Sequence, residues 1–204
     1  MHMVEQKTNT GTSLKKKVLI GSLWLYALQG SSTVILLIQT VILGRLLTPA
    51  HFGIVGVFLI VSAALESFTQ AGLVKALIQR KNIDNQYLNT AWVVSILRGV
   101  ILFIFILIIS DSVAIFFNSP RAVPVIKVLG FSIFLQGLYN PGTVYFSRDF
   151  NFYKHFLWQG GGVIASFLVS IPLAFILRNE WAIVWGMLAK NFVTLILSFV
   201  LQNF

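Results

Sequence analysis

The sequence predicts an all-α, polytopic integral membrane protein, a bundle of six transmembrane helices behind a short polar tail. Three observations carry this. Of 204 residues, 57% are hydrophobic and only 10% charged, whereas a soluble domain is about 25% charged. The mean hydropathy is +0.85, and a folded chain of this size leaves too much surface exposed to hide that apolar content from water. Apolar runs of the ~20 residues needed to cross a bilayer recur along the whole chain, so they are not a lone secretory signal. Helix is the form such runs take, because lipid offers no partner to an open sheet edge.

Residues 1–17, MHMVEQKTNTGTSLKKK, form a polar cytoplasmic tail. The spans of the lobe, 18–204, fall at about 18–44, 54–74, 90–110, 122–146, 156–177 and 182–203. Their connections are short, which suits antiparallel neighbours in a bundle. In LLTPAHFG, Thr48 caps a helix whose first residue is Pro49, and Ser119 and Pro120 repeat the arrangement in FFNSPRAV.

Orientation follows from the basic residues of the short loops. With the N-terminus inside, cytoplasmic segments hold nine: Lys7, Lys15, Lys16, Lys17, Lys75, Arg80, Lys81, Arg148 and Lys154. The outer loops hold three: Arg45, Arg121 and Arg178. This predicts a cytoplasmic N-terminus. Trp181 and Trp185 then belong to the outer aromatic belt, and Tyr153 and Trp158 to the inner one.

Arg98, Lys127, Lys190 and Glu66 lie within apolar spans. Each costs about 2.5–3.5 kcal/mol at a helix centre, so each must be paired, hydrated or within reach of an interface. Lys127 lies about five residues into its span and can snorkel outward. Arg98 and Lys190 lie deeper, and Glu66 near the middle of its span, where a salt bridge to Arg98 or Lys190 competes with a functional role. Polar residues also form stripes: Ser22, Tyr26, Gln29, Thr33 and Thr40; Ser62, Glu66 and Thr69; Lys190, Thr194 and Ser198. Such stripes bond helix to helix or line a water-filled cavity, and the buried cations favour the cavity. Breaks are expected at Pro141 and Gly142 in YNPG, at the glycines of WQGGG (158–162) and at Pro172. These act as hinges or, for glycine, as points of close packing.

Other classes find no support. The +9 net charge resides in short loops and not in a stripe, which argues against nucleic acid. With no cysteine, disulfides and thiolate chemistry are absent. The histidines His2, His51 and His155 sit in the tail or loops, no G-x-S-x-G occurs, and their spacing suits no zinc site. No phosphate-cradling G-x-x-x-x-G-K-[ST] loop is present. The expectation is a non-enzyme without a cofactor. A six-span substrate-binding subunit of a vitamin transporter is an alternative by length, as is a lobe that inserts but transports nothing.

The segments GRLLTPAHFG (44–53), ALIQRKNIDNQYLNTAW (76–92), FFNSPRAVPVIKVLG (116–130) and FSRDFNFYKHF (146–156) resemble the N-terminal half of the polysaccharide flippases. The resemblance is to the lipopolysaccharide and colanic-acid exporters of the multidrug/oligosaccharidyl-lipid/polysaccharide superfamily, in order over roughly 40–200. It implies a carrier of the bacterial inner membrane that moves an undecaprenyl-diphosphate-linked oligosaccharide to the periplasmic leaflet. It implies two lobes around a cationic cavity, of which six spans make one. A fragment of a longer transporter is therefore expected, with a second copy as the alternative to the missing C-terminal lobe. On this reading Arg98 and Lys190, with Lys127 behind them, meet the anionic head group, since cations suit phosphate. Glu66 is a candidate for ion coupling, and Arg45, Pro141 and Gly142 for gating or structure.

Overall fold

The computed structural model describes residues 29–69, 85–148 and 152–202. Lys7, Lys15, Lys16, Lys17, Ser22, Tyr26, Lys75, Arg80 and Lys81 lie outside them. Among the described residues the chain is all-helical. The helices are α1 (Gln29–Leu46), α2 (Pro49–Thr69), α3 (Asn85–Phe116), α4 (Ala122–Gly137), α5 (Val144–Arg148), α6 (Phe152–Leu177) and α7 (Trp181–Val200). Five of them, α1, α2, α3, α6 and α7, are long and apolar enough to cross a membrane, and α4 is a shorter apolar helix.

The largest departure from the expected spans is at 122–146. That stretch is not one helix. α4 ends at Gly137, and its last carbonyls are met by the N–H groups of Leu138 and Tyr139. A proline follows, which has no N–H and disfavours helical backbone in the residue before it. Asn140 accordingly takes φ −60°, ψ 119°, and its side chain caps a 3₁₀ turn over Pro141–Thr143. At the other end α4 starts on a tight turn, Ala122 N–H to Ser119 C=O at 2.9 Å. The Ser119 carbonyl fills the capping role expected of its hydroxyl, and no side chain caps this helix. α3 is longer than expected, at 32 residues, and ends in a Schellman turn. Asn118 holds φ 49°, while Ser119 N–H reaches Ala114 C=O at 2.8 Å and Asn118 N–H reaches Ile115 C=O at 3.0 Å.

Two antiparallel pairs build the bundle. In the first, α3 against α4, contacts run in opposite chain directions. Trp92 Nε1 donates to Leu138 C=O at 3.3 Å, Gly99 faces Gly137, Phe103 meets Phe131 and Phe134, and Asp111 meets Lys127. A Cβ on Gly137 would stand 2.7 Å from Ser95 C=O, so only glycine permits this approach. In the second pair, α6 against α7, Trp158 Nε1 donates to Thr194 C=O at 3.0 Å and Ala174 packs with Ala182. The run at 160–162 therefore makes no break: α6 is continuous through it and through Pro172. Its glycines allow close packing, since a Cβ on Gly161 would meet Leu197 at 2.5 Å and one on Gly162 would meet Thr194 and Lys190. Trp158 is half-buried against α7 and is tied to it, beyond the belt role expected of it.

The core lies between the pairs, where Phe58, Ile106, Val125, Ile126, Leu129 and Val184 are buried. A smaller cluster of Leu43, Leu47, Ala174 and Ala182 joins α1 to the α6–α7 end. His51 Nε2 lies 3.7 Å from a Glu180 carboxylate oxygen there, so α2 and α7 begin at the same end of the bundle.

Candidate functional site: a polar cavity inside the bundle

A cavity of about 690 Å³ opens among α1, α2, α4, α6 and α7. Each wall is one helical face. On α2 the lining positions are 52, 55, 58, 59, 62, 63 and 66, and on α7 they are 183, 187, 190 and 191, spacings of three and four that stack on one side of a helix. The end near the helix starts is apolar, with Leu43, Phe52 and Ile183; further in, polar side chains take over.

The polar lining combines amides, hydroxyls and two charges. Gln39 on α1 is only 8% exposed. Its amide nitrogen donates to Ser170 Oγ at 2.8 Å and Ser166 Oγ at 3.4 Å, which ties α1 to α6. Asn191 on α7 accepts from the Tyr139 hydroxyl at 3.0 Å and donates to Met187 C=O at 3.0 Å, so its amide is held at both ends. Ser62 and Ser132 are buried at the wall, and Gln136 is exposed to it.

Of the four intramembrane charges singled out by the sequence, the cavity brings two together. Lys190 lines it from the middle of α7, about 14 Å from Trp181 at 1.5 Å per residue. Glu66 lines it from the last turn of α2, about 25 Å from Pro49. α2 begins five residues earlier than the apolar run suggested, which puts Glu66 deeper from the helix start than expected. Lys190 enters no ion pair among the described residues. A lysine at mid-span needs water, and a cavity of about 690 Å³ is far larger than one water molecule needs.

Arg98 and Lys127 do not line the cavity, contrary to their expected place around the head group. Arg98 lies on α3, which contributes no residue to the lining. Lys127 points the other way, to Asp111 at 3.3 Å, with both side chains largely exposed. Arg45 lies not in a loop but in the last turn of α1, exposed, where a cation complements the helix dipole. Pro141 and Gly142 form a packed joint. A Cβ on Gly142 would meet the Gln202 side chain at 2.8 Å, and Asn140, fully buried, is bonded to the end of α7 on both sides.

The hydroxyl stripes differ from expectation too. Thr33, Thr40, Ser62 and Thr194 donate to carbonyls of their own helices, and only Thr40 and Ser62 of these reach the cavity. Sequence reasoning missed Gln39, Gln136 and Asn191. The available signal was an uncharged amide inside an apolar run. Among the described residues no three His, Asp or Glu side chains converge on a metal position.

Helices of membrane-crossing length around a cavity whose apolar lining carries two charges and several amides and hydroxyls describe a multi-pass membrane protein. The sequence model of the family described as polysaccharide biosynthesis protein matches residues 42–204, and the chain belongs to that family. It is 23% identical over 91% of its length to the lipopolysaccharide biosynthesis protein WzxC of Escherichia coli (strain K12), covering 38% of that protein. It is 28% identical over 92% of its length to an uncharacterized membrane protein in the cps region of Klebsiella pneumoniae, covering 39%. It is 26% identical over 75% of its length to the succinoglycan biosynthesis transport protein ExoT of Rhizobium meliloti (strain 1021), covering 30%. The chain thus spans a little over a third of the length of the first two. No solved structure gives a significant match.

Proposed function

We propose that the chain is a cavity-forming part of a lipid-linked oligosaccharide carrier, which moves an undecaprenyl-diphosphate-linked glycan across the bacterial inner membrane for polysaccharide or lipopolysaccharide synthesis. The observation that carries this is Lys190 standing in a hydrated-size cavity inside an apolar bundle. Membership of the polysaccharide biosynthesis family and a relative named as a transport protein support it. The physical problem is to take a diphosphate and its sugars through hydrocarbon. A lysine ammonium offers three donors and a compact charge to a phosphate, and the prenyl tail stays in lipid between helices.

Lys190 is the residue assigned to the anionic head group. Glu66, deeper along the same cavity, is assigned to coupling or to charge balance of that lysine. The cavity face is completed by a further lobe or by a second copy of the chain, and the distribution of basic residues among the loops supports a cytoplasmic N-terminus. The test is surface polymer in a strain whose export depends on the gene, with membrane protein quantified alongside. Lys190→Ala should lower export at least about tenfold at normal protein level, the scale of a lost charge-assisted hydrogen bond, and Lys190→Arg should restore much of it. Normal export from Lys190→Ala would remove the lysine from the mechanism.

A further inference from the structure

The hydrogen bonds around the cavity fix what kind of ligand its wall accepts. A serine or threonine hydroxyl has one proton to give. Ser62 donates its proton to Leu59 C=O at 3.1 Å, Ser132 to Leu129 C=O at 2.6 Å and Thr40 to Leu36 C=O at 2.8 Å. What these three present to the cavity is oxygen lone pairs. Gln39 does the same by another route: its amide nitrogen is committed to Ser166 and Ser170, which leaves its carbonyl oxygen. Glu66 as a carboxylate only accepts. Against these acceptors stand as donors the Lys190 ammonium, the exposed Gln136 amide, the Ser166 hydroxyl, which accepts from Gln39 and keeps its own proton, and the second amide hydrogen of Asn191.

We infer that this wall is an acceptor surface selecting neutral, hydroxyl-bearing sugars beside the lipid phosphate and discriminating against acidic ones. The inference rests on the carrier reading above. A sugar hydroxyl both gives and takes a hydrogen bond, so next to acceptors it gives one. A uronic acid carboxylate only takes. Placed here it faces lone pairs and Glu66, while the lysine that would satisfy it is engaged by the phosphate. An unpaired buried acceptor is costly, and discrimination by such groups is correspondingly steep.

The test uses the purified full chain in lipid nanodiscs and three probes: undecaprenyl phosphate, undecaprenyl phosphate-glucose and undecaprenyl phosphate-glucuronic acid. Binding is read by native mass spectrometry with titration. The glucose lipid should bind about tenfold more tightly than the bare lipid, and the glucuronic acid lipid no more tightly than the bare one. Ser62→Ala with Ser132→Ala should shrink the glucose advantage while leaving the bare lipid unchanged, which also reports on folding. If glucose adds nothing, or glucuronic acid binds as well as glucose, the acceptor-surface inference is overturned. The carrier reading then survives so long as Lys190→Ala weakens all three. If no probe binds, or Lys190→Ala binds them like the parent, the carrier reading falls and takes this inference with it.

Discussion

Asn140 shows how much one side chain can hold. Its backbone N–H donates to Ser198 Oγ at 3.1 Å, its side chain donates to Gln202 C=O at 2.9 Å, and its amide oxygen accepts from Gly142 N–H at 2.8 Å. Replacement by alanine strands Gln202 and Gly142 in a buried place, and we expect a loss of about 2–4 kcal/mol in unfolding free energy, read by denaturant titration in detergent. Lys127→Ala is the contrast. Its pair with Asp111 is exposed at 40% and 65%, so stability should change by less than about 0.5 kcal/mol and polymer export should stay normal. A large export defect there would return Lys127 to the substrate path. Lys190 and Glu66 were legible in the sequence because a charge in an apolar run is conspicuous. Arg98 was equally conspicuous but does not line the cavity, since depth along a helix says nothing about which helices surround a cavity. Gln39, Gln136 and Asn191 were passed over because an uncharged amide barely disturbs an apolar run, and its importance depends on a helix rotation that one sequence does not specify.

At the level of elements, glycine decides which helices lie close. Gly162 and Gly186 sit on the α6–α7 seam, where an added Cβ would meet Thr194 Oγ1 and Ser170 Cβ respectively. The expected result of Gly186→Val is a loss of about 1–3 kcal/mol, visible as a lower melting temperature in detergent. The same change at Gly53, where a Cβ meets nothing within 4 Å, should cost far less. Equal effects would mean the seam is looser than described. The existence of these helices was readable from apolar runs alone, and the interruption after Gly137 was half readable from YNPG. The role of the glycines at 160–162 was not, because a hinge and a tight seam use the same residue and only the neighbouring helix tells them apart.

At the scale of the molecule, α1, α2, α4, α6 and α7 line a partly open cavity that carries Lys190 and Glu66 inside an apolar bundle. α1 is held by Gln39 and by Leu43 and Leu47 at its far end. Interhelical hydrogen bonds in membranes average about 0.6 kcal/mol, so Gln39→Leu should cost about that much stability while loosening α1 enough to raise hydrogen exchange in its amides. The all-helical class was plain from composition. The cavity was anticipated from its charges, and each expected stripe supplies part of it (Thr40; Ser62 and Glu66; Lys190), while Thr33, Thr194 and Ser198 lie off it. Hydroxyls that bond their own helix away from a cavity look the same in sequence as those that also line one.

The central claim is that this space holds water at the level of Lys190. The chain has no cysteine, so single cysteines report without background. Ser62→Cys and Ser132→Cys change one atom each on the cavity wall, and Ile101→Cys is an exposed position on α3, away from the cavity. In membranes, a small charged methanethiosulfonate reagent should modify the first two readily and leave Ile101→Cys almost untouched. If Ser62→Cys and Ser132→Cys prove as inert as Ile101→Cys, the interior is dry and the account fails.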